Sequence, residues 1–315
     1  MKKPLRLRDF IGDPEGRLYA VSAYDNGERA GCILRYIPDP DGERVHSSGS
    51  RYHKLEFEEA FAYISREKPE YADYIQRIPL ADIRRVLKPE EEIGTVMQRN
   101  SRVSRLISIL NLPDRTYGCT GSLLCGLENE GSDIDLVVYG RTFFAARDLL
   151  KKATQKGRIA SISDATWNSI YLKRNPELSK DEFLTHEKRK WNRGQIDTVY
   201  FDILYTRPYH ALNPFPIGKG KSCGLLTIQA MVTDASLAFD SPAVYRVNHK
   251  KISRVLSFSH TYSGQALAGE LIEARGVCEE HGDERWLVVG TTREAKGEYI
   301  RSISLLEGDV QESRE

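Results

Sequence analysis

The stretch 131–138, with the sequence GSDIDLVV, combines an apolar run with two carboxylates one residue apart. The apolar run predicts a buried β-strand over 134–139. Because alternate residues of a strand point to the same face, we expect Asp133 and Asp135 to project side by side. Neighbouring carboxylates raise each other's pKa, and a bound cation relieves their repulsion. Carboxylate oxygens are the ligands that Mg²⁺ prefers, so this spacing predicts a metal site.

A glycine–serine pair, Gly121 and Ser122, precedes the carboxylates with ten residues between Ser122 and Asp133. Glycine lets a backbone approach a ligand closely, and a serine at a helix start offers its hydroxyl and backbone N–H groups to an anion. The spacer is long enough for a short helix over 122–127 and a turn that returns to the next strand. The pair therefore predicts a phosphate-binding loop beside the metal site.

This arrangement resembles the nucleotidyltransferase superfamily of the DNA polymerase β type, whose motif is Gly-Ser, a spacer of similar length, and two acids around one apolar residue. The resemblance covers about 116–139 and, more loosely, the chain to 205. The sequences RDFI at 8–11 and LRYIP at 34–38 are similar to those of little-characterised archaeal proteins of this type, and no function is attached to them.

The resemblance implies a third carboxylate on a later strand. Asp202, within VYFDIL at 199–204, is the best match because its neighbours are apolar, and Asp197 is the competitor. It implies two Mg²⁺ ions, or Mn²⁺ in their place, held by Asp133, Asp135 and Asp202. Asp202 would serve the metal that activates an attacking hydroxyl, and could act as general base. A nucleoside triphosphate such as ATP would lose pyrophosphate to that hydroxyl.

A basic run over 188–194 (KRKWNRG) lies just before the strand that carries Asp202. Such a run is commonly a solvated surface, but its position makes Lys188, Arg189 and Lys190 candidates for nucleotide binding. His186 and Trp191 are candidates for stacking on a base, although a core or surface role is the more ordinary interpretation of each.

Composition limits the number of domains and the classes of protein that this sequence can represent. The 315 residues, 40% hydrophobic and 29% charged with a net charge of +1, are typical of a globular protein of two or three domains without a global attraction to nucleic acid or membrane. Five scattered cysteines without a CxxC pair argue against a disulfide framework and a structural zinc site. The absence of a signal peptide and of a long apolar run predicts a soluble, cytoplasmic protein.

Periodicity predicts an α+β fold in three parts. Residues 1–89 form an α+β domain, 90–212 a nucleotidyltransferase domain with a mixed sheet and flanking helices, 213–307 a small β-barrel or sandwich, and 308–315 a flexible tail. Among the individual elements we expect a hairpin around Asp25-Asn26-Gly27, helices over 80–87 and 95–110, and a last strand over 299–305.

The C-terminal domain is a candidate nucleic-acid-binding module of the OB type. Arg275, Arg285, Arg293 and Lys296 are available for it, and nearby acidic residues weaken that interpretation. The leading function is nucleotidyl transfer to a hydroxyl, most plausibly at an RNA or DNA end. The alternatives are nucleotidylation of a protein or small molecule, and a non-catalytic nucleic-acid-binding protein with an inactive core.

Overall fold

The computed structural model of the chain describes residues 3–213, 215–216, 218–292 and 295–312. Helices and three β-sheets confirm the predicted α+β class. The chain divides into two compact units. The first unit comprises Met1–Ser161 and Asn192–Ile217, and the second comprises Ile162–Trp191 and Gly218–Glu315.

The first unit begins with a seven-stranded sheet in the order β4-β5-β3-β2-β1-β7, with β6 pairing with β3. One face is covered by helix α1 (Phe57–Glu67), whose Ala60 and Ile64 enter the sheet's apolar core. The strands are β1 (Phe10–Gly12), β2 (Leu18–Val21), β3 (Arg29–Pro38), β4 (Arg44–Val45), β5 (Arg51–Lys54), β6 (Gln76–Pro79) and β7 (Arg85–Leu87).

Of two predictions for this region, the hairpin is confirmed and the helix is wrong. The hairpin around 25–27 is confirmed, because β2 and β3 pair antiparallel on either side of it. The predicted helix over 80–87 is wrong: a 3-10 turn at Leu80–Asp82 leads into β7, whose backbone pairs with β1. Tertiary pairing outweighed a local helical pattern there.

The second sheet of the first unit has the order β10-β11-β9-β8. The pair β9–β11 is parallel, whereas β8–β9 and β10–β11 are antiparallel, so the predicted mixed sheet is confirmed. Its strands are β8 (Tyr117–Cys119), β9 (Ile134–Tyr139), β10 (Arg193–Ile196) and β11 (Val199–Thr206). The helices of this region are α2 (Pro89–Arg99), α3 (Ser101–Leu110), α4 (Gly121–Cys125) and α5 (Thr142–Gln155).

The predicted helix over 95–110 is two helices, because α2 ends and α3 begins around Asn100. The Asn100 side chain accepts hydrogen bonds from the backbone N–H groups of Arg102 and Val103, which caps α3. An asparagine inside an apolar stripe thus marked a helix start that periodicity alone did not show.

The second unit begins with helices α6 (Asp164–Arg174) and α7 (Lys180–Lys190), and the strands of the third sheet follow. The long strand β12 pairs with both β13 and β15, so the pairings β12-β13-β14-β16-β15 return to β12, and β17 adds to β15. The strands are β12 (Lys221–Leu237), β13 (Ala243–Asn248), β14 (Arg254–Ser257), β15 (Leu271–His281), β16 (Glu284–Val289) and β17 (Tyr299–Ser302).

The chain ends differently from its prediction. The strand expected over 299–305 stops at Ser302, and helix α8 (Ile303–Glu312) occupies most of the predicted tail. Residues 313–315 of that tail, and Arg293, lie outside the described residues. The three predicted domains each contain one of the three sheets, but residues 162–191, assigned to the central domain, fold with the C-terminal strands.

Among the described residues, none of the helices has both the length and the apolar character needed to cross a membrane.

Candidate active site

The candidate site lies on the parallel strand pair at the centre of the second sheet. The register of β9 and β11 places Asp135 directly opposite Asp202. Residues paired in this way point to the same face of a sheet, so the two carboxylates are lateral neighbours. Asp133 lies one residue before the start of β9 and is exposed to solvent, and its negative charge acts on Asp135. The sheet therefore gathers two segments almost seventy residues apart in sequence into one carboxylate cluster.

The pKa of Asp135 is strongly shifted within this cluster. Burial of its side chain raises its pKa to about 7, and the negative charges of Asp202 and Asp133 act in the same direction. The positive charges of Arg8 and Lys54 oppose the shift but do not cancel it. A carboxyl whose pKa lies near neutrality, among other carboxylates, is typical of a functional site.

The glycine–serine pair lies against the same carboxylate. Gly121 begins α4 with a φ of +68°, and a Cβ at this position would lie 2.9 Å from Oδ2 of Asp135. Only glycine meets both demands without strain. The preceding residue, Thr120, donates its backbone N–H to the carbonyl of Asp135 at 3.0 Å. The loop that carries Gly121 and Ser122 is therefore fixed beside Asp135.

The carboxylate of Asp202 makes an ion pair with Arg193. The β10–β11 hairpin turns at Asp197 and Thr198, whose φ values of 46° and 71° are those of a type I′ turn. This turn sets the register in which Arg193 faces Asp202, and Arg193 Nε donates to Asp202 Oδ1 at 2.6 Å. Asp197 itself lies in the exposed turn and pairs with Arg105, so Asp202 is the aspartate that lies beside Asp135.

Arg193 is only 3% exposed, yet it stays charged. Burial works against its charge, but the neighbouring carboxylate of Asp202, together with Tyr200, raises the pKa of the guanidinium above its ordinary value. The buried ion pair fixes one oxygen of Asp202 and orients its carboxylate.

Residues 102–197, which include the loop and the first two carboxylates, match the nucleotidyltransferase domain family. Over 94% of its length the chain is 34% identical to the uncharacterized protein MJ1086 of Methanocaldococcus jannaschii, and it covers 98% of that protein. The chain belongs to the nucleotidyltransferase superfamily. No solved structure matches it significantly.

The match to the nucleotidyltransferase domain ends before Asp202, so the third carboxylate rests on the strand register alone. The three donors are hard carboxylate oxygens, the chemistry that Mg²⁺ or Mn²⁺ requires. Within the described part of the chain, no three His, Cys, Asp or Glu side chains are already gathered as a complete metal site.

The three residues of the basic run that were predicted to bind nucleotide, Lys188, Arg189 and Lys190, lie on α7 in the second unit. Lys188 is exposed. Arg189 makes an ion pair with Glu270 and donates to the carbonyl of Gln265 at 2.7 Å. Lys190 is buried, makes an ion pair with Glu187, and donates to the Thr261 carbonyl at 2.9 Å. These contacts engage the charged groups of Arg189 and Lys190 within the second unit.

His186, on the same helix, has a core role. It is buried, its Nδ1 lies 2.6 Å from the Glu182 carbonyl, and its Nε2 accepts a hydrogen bond from the backbone of Ser302. Burial lowers its pKa to about 4, so the ring is neutral at pH 7.

Sequence reasoning missed three cations around the carboxylates: Arg8, Lys54 and Arg193. Arg193 was grouped with the basic run and was not connected to Asp202. Only the hairpin signal of Asp197-Thr198, with strand patterns on both sides, could have paired the two. Arg8 and Lys54 lie far from the motif in sequence, among 46 lysines and arginines, and nothing in their local patterns distinguishes them.

Proposed function

We propose that this protein transfers a nucleoside monophosphate from a nucleoside triphosphate to a hydroxyl acceptor and releases pyrophosphate, by chemistry of the polymerase β type. The observation that supports this most directly is the register of β9 and β11, which sets Asp135 beside Asp202 on one face. The close approach of Gly121 to the Asp135 carboxylate adds a phosphate-binding loop to the same place.

Asp133, Asp135 and Asp202 would hold two Mg²⁺ ions. When bound, such ions neutralise phosphate charge and lower the pKa of an attacking hydroxyl. The raised pKa of Asp135 fits this role, because a divalent cation favours the ionised carboxylate that burial and its neighbours disfavour.

The residues of the chain would position the reactants. The loop at Gly121 and Ser122 would bind the phosphates of the triphosphate with its backbone N–H groups and the serine hydroxyl. Arg193 holds the Asp202 carboxylate in place, and Asp202 would orient the acceptor hydroxyl and take its proton. The acceptor oxygen forms a bond to the α-phosphorus while the bond to the bridging oxygen breaks, and pyrophosphate leaves with that electron pair.

The end of an RNA or DNA strand is the proposed acceptor. Local charge on the second unit gives this no strong support, because several of its arginines are already in ion pairs. These pairs are Arg254–Glu284, Arg285–Glu280 and Arg301 with Glu182 and Glu273. Protein and small-molecule acceptors therefore belong in the same assay.

The test is transfer of label from α-labelled triphosphates, with Mg²⁺ or Mn²⁺, to RNA, DNA, protein and small-molecule acceptors. We expect labelled RNA or DNA. Asp133→Asn and Asp135→Asn should lower the rate by about 10³-fold, the order expected when a group that stabilises transition-state charge is lost. Asp148→Asn, an exposed change on α5 in the same unit, is the matched control and should leave the rate unchanged.

Label on protein or a small molecule would keep the transfer reaction and replace its acceptor. Absence of transfer under every condition, together with binding of nucleic acid, would refute the enzymatic proposal in favour of a binding protein. Unchanged activity in the Asp133 and Asp135 variants would refute the site.

A further inference from the structure

The N-terminal sheet packs directly on the helix that begins with the glycine–serine pair. Phe10 of β1 and Tyr36 of β3 share one apolar cluster with Leu124 and Cys125 of α4 and with Leu127 after it. The strand β1 also contacts α4. Burial of these apolar groups fixes one face of the N-terminal sheet against the loop that lies on Asp135. The residues at the rim of that face therefore border the carboxylate cluster.

Arg8 is tied to the cluster through Thr120. The hydroxyl of Thr120 donates to the Arg8 carbonyl at 2.7 Å, and the backbone N–H of the same threonine donates to the Asp135 carbonyl at 3.0 Å. Arg8 adopts a φ of 75°, a left-handed conformation that is unusual for a residue with a side chain. Its own N–H donates to Val21 at 2.9 Å, which anchors this conformation to β2.

Lys54 belongs to another strand of the N-terminal sheet that packs on α4. It ends β5 and is paired with Tyr36 of β3, so its side chain lies on the face of the sheet to which Tyr36 contributes. That face is the one packed on α4. Lys54 is half-buried, and its charge, like that of Arg8, acts on the Asp135 carboxyl.

Two cations of the N-terminal region, Arg8 in the turn before β1 and Lys54 at the end of β5, thus act on Asp135 beside the loop that carries Gly121 and Ser122. Asp202 already has a cation within its own sheet, because Arg193 Nε donates to Asp202 Oδ1 at 2.6 Å. A triphosphate brings several negative charges to this place, and cations at the loop would bind them.

We propose that Arg8 and Lys54, the N-terminal cations, bind the phosphates of the nucleoside triphosphate, so that the N-terminal sheet completes the active site. This inference rests on the proposed function. It assigns to the N-terminal sheet a role in substrate binding that no sequence motif in it indicates.

The test measures nucleotide binding in the absence of any acceptor. The probe is α,β-methylene ATP with Mg²⁺, titrated by calorimetry into the full-length protein and its Lys54→Gln and Arg8→Gln variants. Each variant should raise the Kd for this triphosphate analogue by about 10-fold while changing the Kd for AMP much less, because AMP lacks the outer phosphates. Lys54→Arg keeps the charge and should restore most of the affinity.

Lys68→Gln is the matched control. Lys68 is also partly buried, belongs to the same unit, and makes its ion pair with Glu15. Its loss removes one positive charge without touching the cluster around Asp135. The Kd for the analogue should therefore stay at the wild-type value. Thermal denaturation identifies any variant that fails to fold, and Lys54→Met then serves as a second neutral replacement that keeps the apolar stem.

The outcomes separate the two proposals. If the wild-type protein binds no triphosphate and transfers no label, the proposed function fails. If the wild-type protein binds the analogue and both Gln variants bind it equally well, the proposed function stands and the role of the N-terminal cations is overturned. A loss of affinity seen only for a nucleic-acid acceptor, and not for the triphosphate analogue, would also overturn that role.

Discussion

Two clusters of charged side chains in this protein differ in how their charges are balanced. In the first unit, Asp135 and Asp202 are neighbours on one face of the central sheet, and burial, together with the negative charges of Asp202 and Asp133, raises the pKa of Asp135 to about 7. On α7 of the second unit, Glu187 and Lys190 are each about 1% exposed and neutralise each other, and Arg174 adds a second cation at 3.2 Å from Glu187.

The difference shows how structure separates a functional charge cluster from a structural one. In the α7 cluster the carboxylate of Glu187 has two cationic partners, Lys190 and Arg174, so the cluster needs no ion from outside and its pairing holds α7 in the fold. In the first unit like charges accumulate, and the folded protein tolerates an electrostatic cost that a cation would relieve. The same substitution, carboxylate to amide, should therefore change stability in opposite directions at the two places.

The largest stability effect is expected at Glu187. Glu187→Gln leaves the buried Lys190 ammonium without its counter-charge, and should lower the free energy of unfolding by about 3 kcal/mol. Chemical denaturation at pH 7, followed by circular dichroism, measures this change.

The double variant Glu187→Gln/Lys190→Met is the control for this explanation. Because it removes both charges, it should recover most of the lost stability. A double variant as unstable as the single one would show that packing, and not charge pairing, stabilises this part of α7.

A smaller effect of opposite sign is expected at Asp135. A pKa raised from 3.8 to about 7 means that the stability contributed by this group is complete below about pH 4 and is lost as the pH rises through 7. Without divalent metal, Asp135→Asn should therefore be more stable than wild type at pH 8 and equally stable near pH 4. We expect a difference of about 2 kcal/mol, about half of what the full shift corresponds to, because solvent screens part of this half-buried carboxylate. Denaturation curves of both proteins in EDTA, measured from pH 4 to pH 8, give the difference.

Asp148→Asn is again the matched control and should follow the wild-type curve at every pH. Addition of Mg²⁺ at pH 8 should stabilise wild type and leave Asp135→Asn unchanged, since metal binds the ionised carboxylate. If Asp135→Asn were less stable than wild type at pH 8, the ionised Asp135 carboxylate would not destabilise the fold, and the contrast between the two clusters would be wrong.

The smallest stability effect is expected at Gly121. Alanine there must adopt a φ of +68° and place a methyl group 2.9 Å from Asp135 Oδ2, so Gly121→Ala should destabilise the protein by about 1 kcal/mol and also displace the carboxylate. Gly157→Ala is the matched control, because Gly157 has the same φ with nothing within 4 Å of its missing Cβ. Both variants should lose similar stability, and only Gly121→Ala should lose transfer activity. Equal transfer activities of the two variants would show that the close approach of Gly121 to Asp135 is not needed for activity.

Local sequence patterns predicted part of this fold well. The strand over 134–139 has the predicted bounds, and the hairpin at 25–27 forms where its turn residues indicate. The predictions over 80–87, 95–110 and 299–305 were wrong wholly or in part. In these three segments a strand partner, a capping asparagine and a switch from strand to helix determined the result.

By itself the sequence placed Asp133 and Asp135 at the start of a buried strand, with a glycine–serine turn shortly before them, because strand alternation and turn chemistry act over a few residues. Only the tertiary structure decided that Asp202 lies beside Asp135, that Arg193 faces Asp202, and which lysines and arginines approach the carboxylates. It also placed Lys190 in an internal ion pair of the second unit. A residue's type gives its charge, but its partner is set by strand pairing and packing between segments that are distant in the chain.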